Sequence, residues 1–217
     1  MTEHLKQPSL DALLDDVAQY YTRKINTHGA TPLGVDWSCV PTQQMRFVHL
    51  LKLCSFESAT SLNDVGCGYG AVLAFLAKRF RGTAIDYLGL DISPAMITQA
   101  QKLWQKRIGT KFLIASTSPR TADYSIASGI FNVKLKQPID LWELFVAKSL
   151  ANMHSTSRRG FAVNFLTPTS AQSLPVPELY YAQPDVWREY CERTFNSKVE
   201  VIAGYGLREY TLIARSS

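Results

Sequence analysis

Apolar and polar positions divide the chain into a helical N-terminal part and a longer part in which short apolar runs alternate with amphipathic stretches. The apolar runs predict strands at 62–65, 86–91, 112–115, 124–128 and 160–166. The amphipathic stretches predict helices at 71–79, 94–104, 139–153 and 184–194. Strands that alternate with helices are typical of an α/β fold with a parallel sheet.

Two connections change this picture. The link at 116–123 is too short for the helix that usually joins parallel strands, so we expect one sheet face to be thinly covered there. After a proline-rich connection at 167–177 and the last predicted helix, strands at 199–203 and 210–214 flank a turn at 204–209. This order predicts a C-terminal antiparallel hairpin.

Apolar residues before the first strand also recur with helical spacing. They predict one helix from Ser9, a suitable N-cap, to Ile25 and a second from Thr42 to Cys54. The segment 26–41 between them is rich in Gly, Thr and Pro and predicts a loop. We expect residues 1–45 to form a helical lid and residues 46–217 the main domain.

A glycine turn follows the first strand and leads directly into a helix. Gly66, Gly68 and Gly70 suit a backbone with positive φ that a ligand approaches closely. The N-terminus of the following helix adds free N–H groups and a positive dipole end. Asp91 closes the second strand about 20 residues further on, where an acid can accept both hydroxyls of a ribose. The sequence therefore predicts a nucleoside-containing cofactor.

The glycine spacing also fits a dinucleotide fingerprint, which alone is a weak signal. Asp64, two residues before the first glycine, favours a different ligand: it would balance a cationic amine and repel a pyrophosphate. With Asp64, the glycine turn and the second strand taken together, the chain resembles the class I methyltransferases that use S-adenosylmethionine. The resemblance runs from about residue 36 to the C-terminus and is strongest at residues 61–100.

This resemblance implies a doubly wound, seven-stranded, mostly parallel sheet that ends in an antiparallel hairpin. It also implies that the glycine turn wraps the methionine part of the cofactor, that Asp91 holds the ribose and that Ile92 packs on the adenine. The sequence departs from the family pattern after the third strand, where Ser116 stands in place of an acid. The predicted cofactor-binding set is Arg46, Asp64, Gly66, Cys67, Gly68, Gly70, Asp91, Ile92, Ser116, Ser128 and Gly129.

The rule that reacting groups in such sheets meet at the carboxyl ends of the strands points to Phe131 and Asn132 after strand four. Further substrate-binding candidates lie on strand five and in loops. The predicted set is His28, Trp37, Phe131, Asn132, Asn164 and Tyr181. Core packing is the alternative for Phe131, and a surface position is the alternative for His28. The sequence after strand four lacks the Asn/Asp-Pro-Pro-aromatic pattern of enzymes that methylate amino groups of bases. No catalytic residue is assigned, because a sulfonium cofactor already carries the electrophilic methyl group.

Composition narrows the function further. The net charge of +5 comes from scattered basic residues, and the four cysteines and four histidines show no metal-binding spacing. We expect a cytoplasmic enzyme with a small-molecule acceptor and without a metal, a nucleic-acid partner or a membrane span; the oligomeric state is not indicated. Methylation of a macromolecule, a nicotinamide-dependent oxidoreductase and a non-catalytic cofactor-binding subunit remain as alternatives.

Overall fold

A computed structural model describes residues 9–168 and 174–216, so the first eight residues of the predicted lid and part of the proline-rich connection lie outside it. Its seven strands are β1 (Thr60–Val65), β2 (Ile85–Asp91), β3 (Thr110–Ile114), β4 (Ala122–Ala127), β5 (Ser157–Leu166), β6 (Lys198–Ile202) and β7 (Glu209–Arg215). They form one sheet in the order β3-β2-β1-β4-β5-β7-β6. The first five strands are parallel, and β7 pairs antiparallel with β5 and β6. The predicted fold class is confirmed.

The six α-helices are α1 (Leu10–His28), α2 (Val40–Leu50), α3 (Ala71–Arg79), α4 (Pro94–Trp104), α5 (Ile139–Ser155) and α6 (Pro184–Phe195). Both α3 and α4 have the predicted bounds. Ser9 caps α1 as expected, since its hydroxyl accepts a hydrogen bond from the backbone N–H of Ala12 at 3.2 Å. The loop predicted at 26–41 is wrong at both ends, because α1 continues to His28 and α2 begins at Val40. A 3₁₀ helix also forms within it at Pro32–Val35.

The core lies on both faces of the sheet. One cluster of buried side chains contains Trp142 of α5 and Trp187 of α6, and the other contains Leu73 of α3 and Ile97 of α4. Neighbouring residues of a strand contribute to opposite clusters because successive side chains point to opposite faces. The sheet is therefore doubly wound. No helix among the described residues is long and apolar enough to cross a membrane.

The link between β3 and β4 contains no helix, as its length predicted; all of its residues are described. Arg120 in this link donates to Asn63 Oδ1 at 3.1 Å and forms an ion pair with Asp86 at 2.7 Å. On the neighbouring edge strand β3, Leu113 and Ile114 are 41% and 59% exposed. The thin cover expected near this edge is present.

Candidate active site

Three glycines shape the turn between β1 and α3. Gly66, Gly68 and Gly70 have φ values of 72°, 54° and 85°, as predicted. A Cβ atom on Gly66 would lie 2.1 Å from Ile130, and one on Gly70 would lie 2.6 Å from Trp104 Nε1. Positive φ and lack of space both require glycine at these two positions. The turn therefore keeps its backbone exposed to the crevice beside it.

Asp91 joins this turn to the start of α4. Its Oδ2 accepts a hydrogen bond from the Gly68 N–H at 2.9 Å, and its Oδ1 accepts one from the Ser93 N–H at 2.8 Å. Burial raises the pKa of the Asp91 carboxyl to about 6, and these N–H groups limit the rise because they favour the charged form. The carboxylate is therefore fixed in orientation at the tip of β2, with lone pairs left for further donors.

Asp64 lies at the tip of β1 and is 1% exposed. Its Oδ2 accepts a hydrogen bond from the Tyr87 hydroxyl, whereas its Oδ1 has no partner among the described residues. Burial raises the pKa of Asp64 to about 7. A buried carboxylate oxygen without a donor is costly unless a ligand supplies one. Asp64 is therefore suited to receive a cationic or N–H donor from a bound molecule.

These groups border one cavity at the carboxyl edge of the sheet. Its volume is about 910 Å³, counted with the mouth that is open to solvent. The predicted residues that line it are Trp37, Asp64, Gly66, Cys67, Gly68, Asp91, Ile92, Ser116, Ser128 and Gly129. Burial and the neighbouring Asp91 and Asp64 raise the pKa of the Cys67 thiol, so this residue is a neutral wall group rather than a thiolate.

The N-terminal segment, in which a helical lid was expected, forms a roof over the cavity. Its lining residues are Leu14, Val17 and Tyr21 of α1, Val35 of the 3₁₀ helix, and Gln43 and Phe47 of α2. The hydroxyls of Thr22 and Ser93 lie 2.7 Å apart, which joins α1 to the N-terminus of α4. Asp36 accepts a hydrogen bond from Tyr20 and pairs with Lys24, which joins the 3₁₀ segment to α1. The helical spacing predicted α1 itself, but not which of its residues line the cavity.

Arg46 and Asn164 lie outside the cavity lining, contrary to the expectation that each would contact a ligand. The Arg46 guanidinium donates to both carboxylate oxygens of Glu209, with Nε distances of 2.9 and 2.8 Å. Asn164 is fully buried and donates to Glu209 Oε2 at 2.8 Å. Their polar groups are therefore occupied within the protein. Glu209, which the sequence analysis did not single out, is their shared partner.

The other predicted residues outside the lining have different positions. Phe131 is fully buried and stacks on Phe165, with ring centroids 5.1 Å apart. It therefore packs in the core, which was the alternative to a substrate contact. His28 is exposed in the last turn of α1, so it has the surface position that was the alternative to a substrate contact. Asn132 is buried without side-chain partners among the described residues, and the Tyr181 hydroxyl accepts from the Val176 N–H at 3.3 Å. Gly70 shapes the turn without lining the cavity.

The described residues contain no group of three or more His, Cys, Asp or Glu side chains that could hold a metal ion. The charged groups that line the cavity, among the residues the structure describes, are Asp64 and Asp91 alone. The other lining side chains are apolar or neutral. This arrangement suits a ligand that has a cationic group and hydroxyls at one end of the crevice and an apolar molecule beside it.

Comparison with known proteins agrees with this geometry. The family model described as "Methyltransferase domain" matches residues 63–134. A protein of Mycobacterium tuberculosis named "Putative methyltransferase Rv1506c" is 41% identical over 167 residues, which span 77% of this chain and 99% of that protein.

Two solved structures share the fold at low identity. Magnesium protoporphyrin IX methyltransferase from Synechocystis PCC 6803, with S-adenosylhomocysteine bound, is 14% identical, with 95% of this chain and 97% of that chain covered and a TM-score of 0.61. A S-adenosylmethionine-dependent methyltransferase from Aquifex aeolicus is 17% identical, with 82% and 94% covered and a TM-score of 0.58. Because the Mycobacterium relative is similar over most of both chains and the fold is that of solved methyltransferases, this chain belongs to the class I S-adenosylmethionine-dependent methyltransferases.

Proposed function

We propose that this enzyme methylates a small, neutral and mostly apolar acceptor inside the roofed cavity. The observation that carries the proposal is the roof itself. Leu14, Val17 and Tyr21 of α1 cover the carboxyl edge of the sheet, and Trp37 lies against Gly129 on the same side. A covered apolar chamber accepts a molecule that fits within it, whereas a macromolecule needs an open edge.

The cavity also has the features that S-adenosylmethionine requires. We assign Asp64 to the amino group, because its Oδ1 is buried and no described residue donates to it. The turn from Gly66 to Gly70 wraps the methionine part, and Asp91 receives the ribose hydroxyls. Ile92 and Ser116 border the adenine. These roles rest on the family resemblance together with the positions of the residues around one cavity.

The cofactor supplies an electrophilic methyl group, so the protein has to orient the acceptor and exclude water. Holding the two reactants in line contributes roughly 7 to 11 kcal/mol toward the barrier in well-oriented systems. We therefore assign the roof and Trp37 to positioning and water exclusion. No residue is assigned as a general base.

The acceptor chamber is proposed to lie between α1 and α5. Phe145 and Ser149 of α5 face the same cavity as Leu14, Val17 and Tyr21 of α1. An apolar acceptor gains about 25 cal/mol for each Å² of apolar surface that it buries there. The hydroxyls of Ser149 and Tyr21 are the polar groups available to orient it.

Calorimetry and an acceptor screen test this proposal. Purified protein should bind S-adenosylhomocysteine with a single-site isotherm. Radiolabelled methyl groups from S-adenosylmethionine should pass to neutral aromatic or aliphatic compounds in a mixed panel and not to RNA, DNA or protein fractions. Transfer to one of the macromolecular fractions alone would contradict the small-molecule assignment and favour the alternative acceptor class.

The variant Ser149→Leu should block the acceptor chamber while leaving cofactor binding intact. The larger side chain occupies apolar space, so binding of the neutral probe N-phenyl-1-naphthylamine should weaken roughly tenfold, as expected for overpacking of a fitted site. The affinity for S-adenosylhomocysteine should stay within about twofold, a change below the usual scatter of surface substitutions. Fluorescence titration measures the first quantity and calorimetry the second.

Ser155→Leu is the matched control, because it makes the same change at an exposed position of the same helix. The control should bind both ligands as the wild type does. Undiminished probe binding in Ser149→Leu would place the acceptor elsewhere.

The lid at residues 1–45, the cytoplasmic location and the lack of a nucleic-acid partner stay predictions. The lid boundary falls within α2, so α2 belongs to both the roof and the main domain. Membership of the methyltransferase family replaces the nicotinamide alternative.

A further inference from the structure

Five residues from separate parts of the chain form a closed ring of contacts beside the cavity. Gly129 donates its N–H to Asn164 Oδ1 at 2.8 Å, and Asn164 donates to Glu209 Oε2 at 2.8 Å. Glu209 binds Arg46, whose guanidinium carbon lies 3.7 Å from the centre of the Trp37 ring. Trp37 returns to Gly129, where an added Cβ atom would lie 2.3 Å from Trp37 Cζ2.

The ring joins two walls of the cavity through residues that do not line it. Trp37 and Gly129 are lining residues, whereas Arg46, Asn164 and Glu209 are not. These three are 6%, 0% and 3% exposed, so solvent does not compete for their hydrogen bonds. Glu209 is therefore linked to the Trp37 wall through Arg46 and to the Gly129 wall through Asn164.

We infer that Glu209 is a positioning residue that holds Trp37 of the N-terminal segment at a set distance from Gly129, which lies just after β4. The inference goes beyond the assignment of the cofactor site and rests on the proposed function only where cofactor affinity is measured. Glu209 can do this because its carboxylate binds two partners that lie on different sides of it. Both oxygens bind Arg46, and Oε2 also accepts from Asn164.

The chemistry of each link explains why the ring is rigid. A guanidinium fork that binds a carboxylate through several N–H groups has a defined orientation, which one point charge would lack. The third nitrogen of the same guanidinium, Arg46 Nη1, donates to the Thr42 carbonyl at 2.8 Å, so the guanidinium is also fixed to its own helix. The flat face of the guanidinium is then presented to the Trp37 ring.

Fluorine NMR of protein that contains 5-fluorotryptophan tests the inference directly. The chain has four tryptophans, and Trp37→Phe identifies the resonance of Trp37. In Glu209→Gln the Trp37 resonance should shift or broaden, while the resonances of Trp104, Trp142 and Trp187 stay in place. A general loss of stability would affect the core tryptophans as well. The affinity for S-adenosylhomocysteine should fall roughly tenfold in the same variant.

Breaking a buried ion pair leaves an unpaired charge and can prevent folding. Arg46→Lys is therefore the second variant, because it keeps a cation beside Glu209 but loses the planar fork and the ring contact. It should move the Trp37 resonance as Glu209→Gln does. Glu200→Gln, on the exposed side of the neighbouring strand β6, is the control and should change neither quantity.

An unchanged Trp37 resonance in folded Arg46→Lys would overturn the inference. The NMR result does not depend on the cofactor. If the wild-type protein fails to bind S-adenosylhomocysteine, the proposed function fails, and the Trp37 resonance still decides whether Glu209 positions Trp37.

Discussion

Asp91→Ala should bind S-adenosylhomocysteine at least roughly a hundredfold more weakly than the wild type. Hydrogen bonds to a charged acceptor contribute about 1.5 to 3 kcal/mol each, and two ribose hydroxyls would lose theirs. The substitution also removes the acceptor of the Gly68 and Ser93 N–H groups, so the glycine turn loses its link to β2. Calorimetric titration of the purified variant measures the change.

Asp86→Asn provides the control for this result, because it alters a carboxylate on the same strand that is 61% exposed and paired with Arg120. Its affinity should equal that of the wild type. Circular dichroism confirms that both variants are folded before titration. If Asp91→Ala binds with native affinity, Asp91 has no part in holding the ligand.

Asp64→Asn should stabilise the ligand-free protein above pH 7 and nearly abolish cofactor binding. Burial raises the pKa of Asp64 from 3.8 to about 7, so the folded state holds a proton that the unfolded chain has released. The contribution of Asp64 to the free energy of unfolding is therefore most favourable below pH 4, where both states are protonated. It decreases as the pH rises from 4 to 7, because only the unfolded chain releases the proton in that range. At pH 8 the charged carboxylate therefore costs roughly 2 to 4 kcal/mol, which the neutral amide avoids.

Thermal unfolding as a function of pH measures this effect. The Tm of Asp64→Asn should exceed that of the wild type by roughly 5 to 10 °C at pH 8 and should match it near pH 4. The proposed pairing of the ammonium group with Asp64 requires the carboxylate form, so the wild-type affinity for S-adenosylhomocysteine should rise between pH 5.5 and 8. The affinity of the variant should be weak throughout this range and nearly independent of pH.

Asp185→Asn, at a position that is 76% exposed on α6, should show neither effect. If Asp64→Asn is less stable than the wild type at pH 8, then burial of the charged Asp64 carboxylate does not destabilise the folded protein. Retained cofactor affinity in Asp64→Asn would remove the assignment of the amino group to this residue.

The glycine turn and the strand ends at the proposed cofactor site were predictable because their signals are local. The turn from Gly66 to Gly70 needs positive φ values, and only glycine tolerates them in so small a space, so the residue type reveals the backbone. Asp91 closes a strand whose bounds follow from its apolar run. The absent helix between β3 and β4 was also predictable, because the length of the link alone excludes it.

Other predicted site residues depend on contacts between distant parts of the chain, which no local pattern encodes. Arg46 and Glu209 are 163 positions apart, so the charge of Arg46 could be noted but its partner could not. Phe131 follows β4 at the expected edge, yet the stack with Phe165 places it in the core. Which way a side chain points after a turn is decided by packing, and packing needs the whole fold.

The roof made by α1 has a consequence for how relatives are compared. Residues 63–134, which match the family model, contain the glycine turn and Asp91, whereas Leu14, Val17 and Tyr21 precede them in the chain. Under the proposed arrangement, selectivity evolves in the N-terminal helix while the donor machinery stays under separate constraint. Homologues with matching glycine turns can thus differ in the molecule that they methylate. Whether two homologues share an acceptor should depend on how similar their α1 sequences are.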